Sequence, residues 1–158
     1  MEELVKKVLN ECFKQKTKII SAESCTGGLV SGALTSVAGS SNAYDRGFIT
    51  YSNASKNELL GVQMETLKKF GAVSEEVVIE MAKGALKEEP PNRISIAITG
   101  VAGPDSSEKK PVGLVWIGSY QTKKLMTRKL ELGFLERDEI RSISCLKAIT
   151  LLYENLKS

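Results

Sequence analysis

The chain has 158 residues, 42% hydrophobic and 26% charged, the balance of one globular domain with room for a real core. Its net charge of +3 is too small to argue for nucleic acid, no apolar run is long enough to span a membrane, and Met-Glu-Glu-Leu is no signal peptide, so a cytoplasmic protein is expected. Three cysteines without metal-ligand spacing fit a reducing compartment, and zero histidines exclude Ser-His pairs, Cys-His pairs and His-ligated metals.

Leu4, Val5, Val8, Leu9, Cys12 and Phe13 form one stripe of an amphipathic helix, with Cys12 in the core. Lys18 to Ile20 is short, apolar and β-branched and predicts a buried strand. The octet Ser21 to Gly28 (Ser-Ala-Glu-Ser-Cys-Thr-Gly-Gly) comes next. Leu29, Val30, Ala33, Leu34 and Val37 then recur with helical spacing until Gly39. The octet is therefore a strand-to-helix turn, and Ser24 and Cys25 are candidate nucleophiles. Unpaired N–H groups at the helix start would suit a phosphate, a carboxylate or a developing oxyanion. The same residues also read as structure alone, with Ser24 or Thr26 as N-cap and Gly27-Gly28 as room for packing. The stretch is neither a Walker loop nor a dinucleotide fingerprint.

Arg46 to Tyr51 predicts a second strand, weakened by Gly47. Ser52-Asn53-Ala54-Ser55 breaks it and caps a short helix carrying Lys56, Leu59 and Leu60. Tyr51 and Lys56 thus straddle another strand-to-helix junction, or are a strand aromatic and a solvated lysine. Met64 to Phe70 predicts a helical piece, and Ser74 caps a helix with Val77, Val78, Met81, Ala82, Ala85 and Leu86 inward. Residues 88–92 predict a loop. Arg93 to Thr99 predicts a buried strand running into Thr99-Gly100-Val101-Ala102-Gly103-Pro104-Asp105, a ligand loop or a plain turn. Ser106 to Lys110 is polar and expected to be mobile. Pro111–Tyr120 and Lys123–Leu132 predict antiparallel strands joined near Gln121-Thr122, with Trp116 in the core. Glu136 to Leu156 predicts a closing helix with Arg137 and Arg141 on one face, able to clamp a phosphate or simply solvated. The pattern as a whole predicts an α/β fold, doubly wound around a mixed sheet, in one domain over 1–158.

Taken together, these loops resemble the C-terminal domain of the competence/damage-inducible CinA family, which includes stand-alone bacterial nicotinamide-nucleotide amidases. The matching stretches are Ala22–Gly28, Arg46–Asn53 with Lys56 and Gly61-Val62, Gly71–Glu75, Thr99–Pro104 and Lys110–Gly113. The resemblance implies a three-layer α/β/α sandwich with a mixed, mainly parallel five-stranded sheet. It implies hydrolysis of the carboxamide of nicotinamide mononucleotide to nicotinate mononucleotide and ammonia, without cofactor or metal. Ser24 then falls on the nucleophile, Lys56 on its partner and Tyr51 on an assisting tyrosine. Cys25, Thr26, Gly27, Gly28, Asn53, Thr99, Gly100, Gly103, Arg137 and Arg141 become the expected substrate-binding residues. Where the family often has Gly-Asp before the first arginine, this chain has Leu135-Glu136, which leaves the backbone at Arg137 open.

That chemistry needs a base for the hydroxyl, donors for the oxyanion and a proton for ammonia. Without histidine a neutral lysine is the natural base, though a free lysine titrates at about 10.4 and Lys56 would have to be depressed by burial or cationic neighbours. The oxyanion donors are expected at the start of the Thr26-Gly27-Gly28 helix or in the Thr99-Gly100 loop, with Arg141 anchoring the phosphate. Cys25 is the rival nucleophile, since a helix N-terminus lowers a thiol's pKa. The alternative reading is a non-catalytic nucleotide- or phosphate-binding module linked to competence or the DNA-damage response. Expected partners are the small-molecule substrate and further copies of the chain, with no nucleic acid and no membrane.

Overall fold

A computed structural model describes residues 1–87, 91–107 and 109–158. The predicted loop over 88–92 lies partly outside the described residues. Five strands, β1 (Lys18–Glu23), β2 (Tyr44–Ile49), β3 (Arg93–Gly100), β4 (Leu114–Gln121) and β5 (Lys124–Glu131), form one sheet in the order β2-β1-β3-β4-β5. β2, β1 and β3 are parallel neighbours; β4 runs antiparallel to both β3 and β5. Among the described residues six α-helices cover the sheet: α1 (Glu2–Gln15), α2 (Leu29–Thr35), α3 (Asn53–Leu60), α4 (Met64–Phe70), α5 (Glu75–Leu86) and α6 (Arg137–Lys157).

The two faces follow from alternation along the strands. Ile19, Ile94, Ile96, Ile98, Val115 and Ile117 meet residues of α1, α2 and α6 on one face. Ile20, Ala22, Ala97 and Tyr120 meet α3, α4 and α5 on the other. That second face is lined by small residues, and α5 sits close enough that a β-carbon at Gly118 would lie 3.2 Å from the Val78 carbonyl. A three-layer α/β/α sandwich results, as expected. Among the described residues no helix is long and apolar enough to cross a membrane.

Local differences from the sequence reading have local causes. β1 continues through Glu23, so the turn begins at Ser24 rather than Ser21. β2 spans Tyr44–Ile49 rather than Arg46–Tyr51, and it is an edge strand with no fully buried residue. Gly47 does not weaken it. The missing side chain makes room for the mutually bonded hydroxyls of Ser21, Ser31 and Tyr44, which a β-carbon there would strike. β4 begins at Leu114 because Pro111 accepts from the Leu114 N–H in a turn. The β4–β5 turn centres on Thr122-Lys123, both at positive φ. Phe13, placed on the apolar stripe of α1, is 43% exposed, whereas Cys12 is buried. Ser107 and Lys110 exchange two backbone hydrogen bonds; Glu108 between them lies outside the described residues.

Gly84 sits where α5 crosses the end of α3, and a β-carbon there would overlap the Leu60 carbonyl. Backbone cannot yield as a flexible side chain can. Gly84→Ala is expected to destabilise the fold by about 1–3 kcal/mol, lowering Tm by roughly 2–4 °C per kcal/mol. An unchanged thermal unfolding curve would show that α3 and α5 have slack at their crossing.

Candidate active site

Because β1, β2 and β3 run parallel, their carboxyl ends share one edge of the sheet, the edge where open α/β sheets bind ligands. Two backbone bonds tie the ends together: the Ser24 N–H donates to the Ile98 carbonyl at 3.0 Å, and the Thr50 N–H to the Glu23 carbonyl at 2.7 Å. The chain then enters α3 through Ser52, whose hydroxyl accepts from the Ser55 N–H at 3.1 Å, while Ser55 Oγ accepts from the Ser52 N–H at 3.2 Å. Lys56 lies in the first turn of that helix. Helical side chains lean toward the N-terminus, so Lys56 reaches back over the strand ends instead of out to solvent. It is 1% exposed. Its Nζ donates to Ser24 Oγ at 3.0 Å and to the Thr50 carbonyl at 2.8 Å.

Ser24 and Lys56 stand in a cavity of about 240 Å³ whose walls include Tyr51, Asn53, Ala102 and Arg137. Asn53, the first residue of α3, makes no side-chain hydrogen bond among the described residues, so its amide is available at the wall. Thr99 is buried and its hydroxyl donates to the Ala72 carbonyl at 2.9 Å, drawing the loop before α5 against the cavity. Gly100 leaves room for the Cys25 sulfur, which a β-carbon would approach to 3.1 Å. At the mouth, Arg137 donates to the Gly103 carbonyl at 2.5 Å and to the Tyr51 hydroxyl at 2.8 Å. Leu135-Glu136 does not displace it, because Glu136 caps α6 in a reciprocal pair with Glu139.

The start of α2 is organised differently from the expectation. Its N–H groups are already occupied, by a carboxylate of the chain itself. Glu23 is fully buried, and its two oxygens accept five hydrogen bonds. Oε2 takes the Thr26 hydroxyl at 2.7 Å and the N–H groups of Gly28 at 2.9 Å and Val30 at 3.1 Å. Oε1 takes the Ser31 N–H at 2.8 Å and the Ser31 hydroxyl at 2.6 Å. The Gly27 N–H turns back to the Ser24 carbonyl. Thr26, Gly27 and Gly28 therefore build the turn, and the N–H groups of Gly27, Gly28, Val30 and Ser31 are not available to an outside anion. The only local sign in the sequence is an acid placed at the end of an apolar strand, just ahead of a glycine-led helix.

Arg141 also differs from the expectation. Its guanidinium donates to the Cys25 carbonyl and to the Thr26 carbonyl, each at 3.1 Å, and it lies outside the cavity wall. It braces the back of the turn through those two carbonyls. Glu23 and Arg141 thus hold the Ser24–Gly28 turn from two sides, one through its N–H groups and the other through its carbonyls.

Cys25 is 5% exposed, and burial pushes its thiol up to about 12, outweighing the lowering by its own backbone N–H and nearby cations. Burial likewise raises Cys12 to about 12 and Cys145 to about 11. The helix start that was to activate Cys25 is occupied by Glu23. At pH 7 the Cys25 thiol is held in its protonated form by burial. A thiol-alkylating reagent at that pH is expected to leave the native protein unmodified by mass and to modify all three cysteines after denaturation. Rapid adduct formation at Cys25 in the native protein would contradict this.

The site therefore presents a hydroxyl on a rigid turn, a buried amine in contact with it, and a tyrosine–arginine pair at the mouth. Among the described residues there is no cluster of three or more acidic or cysteine ligands that could hold a metal ion. The arrangement suits nucleophilic acyl transfer.

The chain is similar to known proteins. A CinA-like protein of Kosmotoga olearia is 46% identical over 149 residues, 94% of this chain but 36% of that protein, so the chain spans about a third of that relative's length. The nicotinamide-nucleotide amidohydrolase PncC of Escherichia coli K12 is 44% identical over 137 residues, covering 86% of this chain and 82% of that one. The crystal structure of the competence/damage inducible protein CihA from Agrobacterium tumefaciens superimposes with a TM-score of 0.93 at 41% identity, covering 99% of this chain and 95% of that one. The family model described as the CinA C-terminal domain matches residues 1–156, and the chain belongs to that family.

Proposed function

We propose that this chain hydrolyses the carboxamide of nicotinamide mononucleotide, giving nicotinate mononucleotide and ammonia through a Ser24 acyl-enzyme. The reading is carried by the 3.0 Å contact between the buried Lys56 amine and Ser24 Oγ in a chain without histidine. The similarity to a relative named as a nicotinamide-nucleotide amidohydrolase supports the substrate.

Lys56 acts as a neutral amine. Enclosure away from water makes its charged form costly, and its Nζ lies 2.8 Å from the Thr50 carbonyl and 3.0 Å from Ser24 Oγ, within reach of the hydroxyl proton. Lys56 takes the Ser24 proton as Oγ bonds to the carboxamide carbon. The carbonyl electrons move onto oxygen, giving a tetrahedral oxyanion. The N–H of Cys25, which otherwise meets its own sulfur, and that of Thr26 are the donors for it. The oxyanion collapses, the C–N bond breaks, and the proton on Lys56 passes to the leaving nitrogen as ammonia. Water then attacks the ester with Lys56 again as base, releasing the nicotinate and restoring the Ser24 hydroxyl. Tyr51, held by Arg137, orients the substrate at the mouth.

The test is ammonia release from nicotinamide mononucleotide by wild type and by Ser24→Ala, in the presence of a chelator. Wild-type release lost in the mutant, at least about 10³-fold, is the expected result. No release from folded wild type would leave the site as a nucleotide-binding module without catalysis.

A further inference from the structure

We propose that the lysine-lined groove beside the Ser24–Lys56 cavity is a subsite for a phosphate monoester, the 5′-phosphate of the substrate. This rests on the amidase reading above. The groove, of about 640 Å³, lies between α4 and the turn before β4, and its walls include Lys68, Lys69, Phe70, Gly71, Lys109 and Lys110. Asn53 belongs to its wall and to the wall of the catalytic cavity, so the two spaces meet at the first residue of α3.

The charge arrangement there points to an anion. Among the described residues no carboxylate lines the groove. Lys68, Lys109 and Lys110 make no ion pair among the described residues, and Lys69 lies over the Phe70 ring at 5.0 Å from its centroid. Other lysines have carboxylate partners (Lys6, Lys14, Lys129, Lys157) or, like Lys7 and Lys147, none among the described residues; the groove gathers four on one space. Glu75 and Glu76 lie in the adjoining depression that also reaches Lys69 and Lys110, whereas Lys68 and Lys109 line only the groove. The dipole of α4 favours cations in its last turn and so accounts for Lys68 and Lys69. It does not account for Lys109 and Lys110, which converge on the same space from another loop.

The two arginines near the site and the start of α2 are already engaged. The α2 N–H groups hold Glu23. Arg141 holds the Cys25 and Thr26 carbonyls. Arg137 bridges Gly103 and Tyr51. With the carboxamide at Ser24, the ribose leads past Asn53 and the phosphate enters the lysine groove.

The test compares nicotinamide mononucleotide with nicotinamide riboside, which lacks the phosphate, in wild type and in the Lys68→Gln/Lys69→Gln/Lys110→Gln variant. The ratio of kcat/KM for mononucleotide over riboside is expected to fall at least about tenfold in the variant, mainly through KM, since one charge-assisted contact corresponds to about that factor. A ratio that does not change overturns the subsite. Calorimetric binding of both compounds to Ser24→Ala, with and without the lysine changes, decides the same point if wild type releases no ammonia. Lysine-dependent preference for the mononucleotide then supports the groove although the amidase reading has failed, and its absence overturns both. Inorganic phosphate is titrated alongside: if it binds without competing with the mononucleotide, the groove is an independent anion site and the proposal is wrong.

Discussion

Lys56→Met is expected to lose ammonia release by about 10³-fold or more at neutral pH while the protein still folds. A general acid–base group contributes roughly 10²–10⁴-fold, and Lys56 is assigned both the proton removal and the proton delivery. Methionine has similar length and no titratable group, so it fills the space above the strand ends without a buried charge. Replacing a buried cation by an apolar side chain of similar volume is often neutral for stability or better. The lost donor to the Thr50 carbonyl offsets part of that gain. Lys56→Arg is expected to be equally inactive, because a guanidinium stays protonated and cannot accept the Ser24 proton. Steady-state kinetics with a thermal melt for each variant separates the outcomes. Turnover within tenfold of wild type in folded Lys56→Met would remove the amine from the mechanism and leave the 3.0 Å contact as packing.

Glu23→Gln is expected to be the costliest single-atom change in the chain. The carboxylate is fully buried and meets only donors: three backbone N–H groups and two hydroxyls. A glutamine amide can accept on one side only, and on the other it presents its own N–H groups to N–H groups. Hydrogen bonds to a charged acceptor are worth about 1.5–3 kcal/mol each, so a loss of about 3 kcal/mol or more is expected. That corresponds to a Tm lower by roughly 6–12 °C for a domain of this size. Activity should fall as well, because the same bonds hold the turn that presents Ser24. Unfolding and kinetics measured on one preparation test both halves. A variant as stable as wild type would mean that the start of α2 can find other acceptors, and the anion pocket ruled out at that helix would be open again.

Much of the architecture was legible because it is written in short-range chemistry. The periodicities of α1 and α5, the β-branched runs at Lys18 and Ile94, the Ser52 cap and the glycine-rich strand ends each depend on residues within a few positions of one another. The absence of histidine, read from composition alone, already confined the base to a lysine, tyrosine or carboxylate. Strand ends were less legible: β2 stops at Ile49, two residues earlier than its β-propensity suggests, because its partner β1 ends at Glu23.

What the tertiary structure alone decided is which polar groups meet. Ser24 and Lys56 are 32 positions apart and come together only because parallel strands bring their loops to one edge. Arg141 was a phosphate anchor by residue type, yet α6 places it behind the turn, more than a hundred positions along the chain from the carbonyls it holds. The helix start at Gly28 was an anion site by residue type, and the anion proved to be Glu23, already in the chain. Lys68, Lys69, Lys109 and Lys110 line one groove, yet they come from two separate segments and read one by one as solvated surface. Local sequence states what each group can donate or accept; the partner it is given depends on burial and long-range register, which no short stretch encodes.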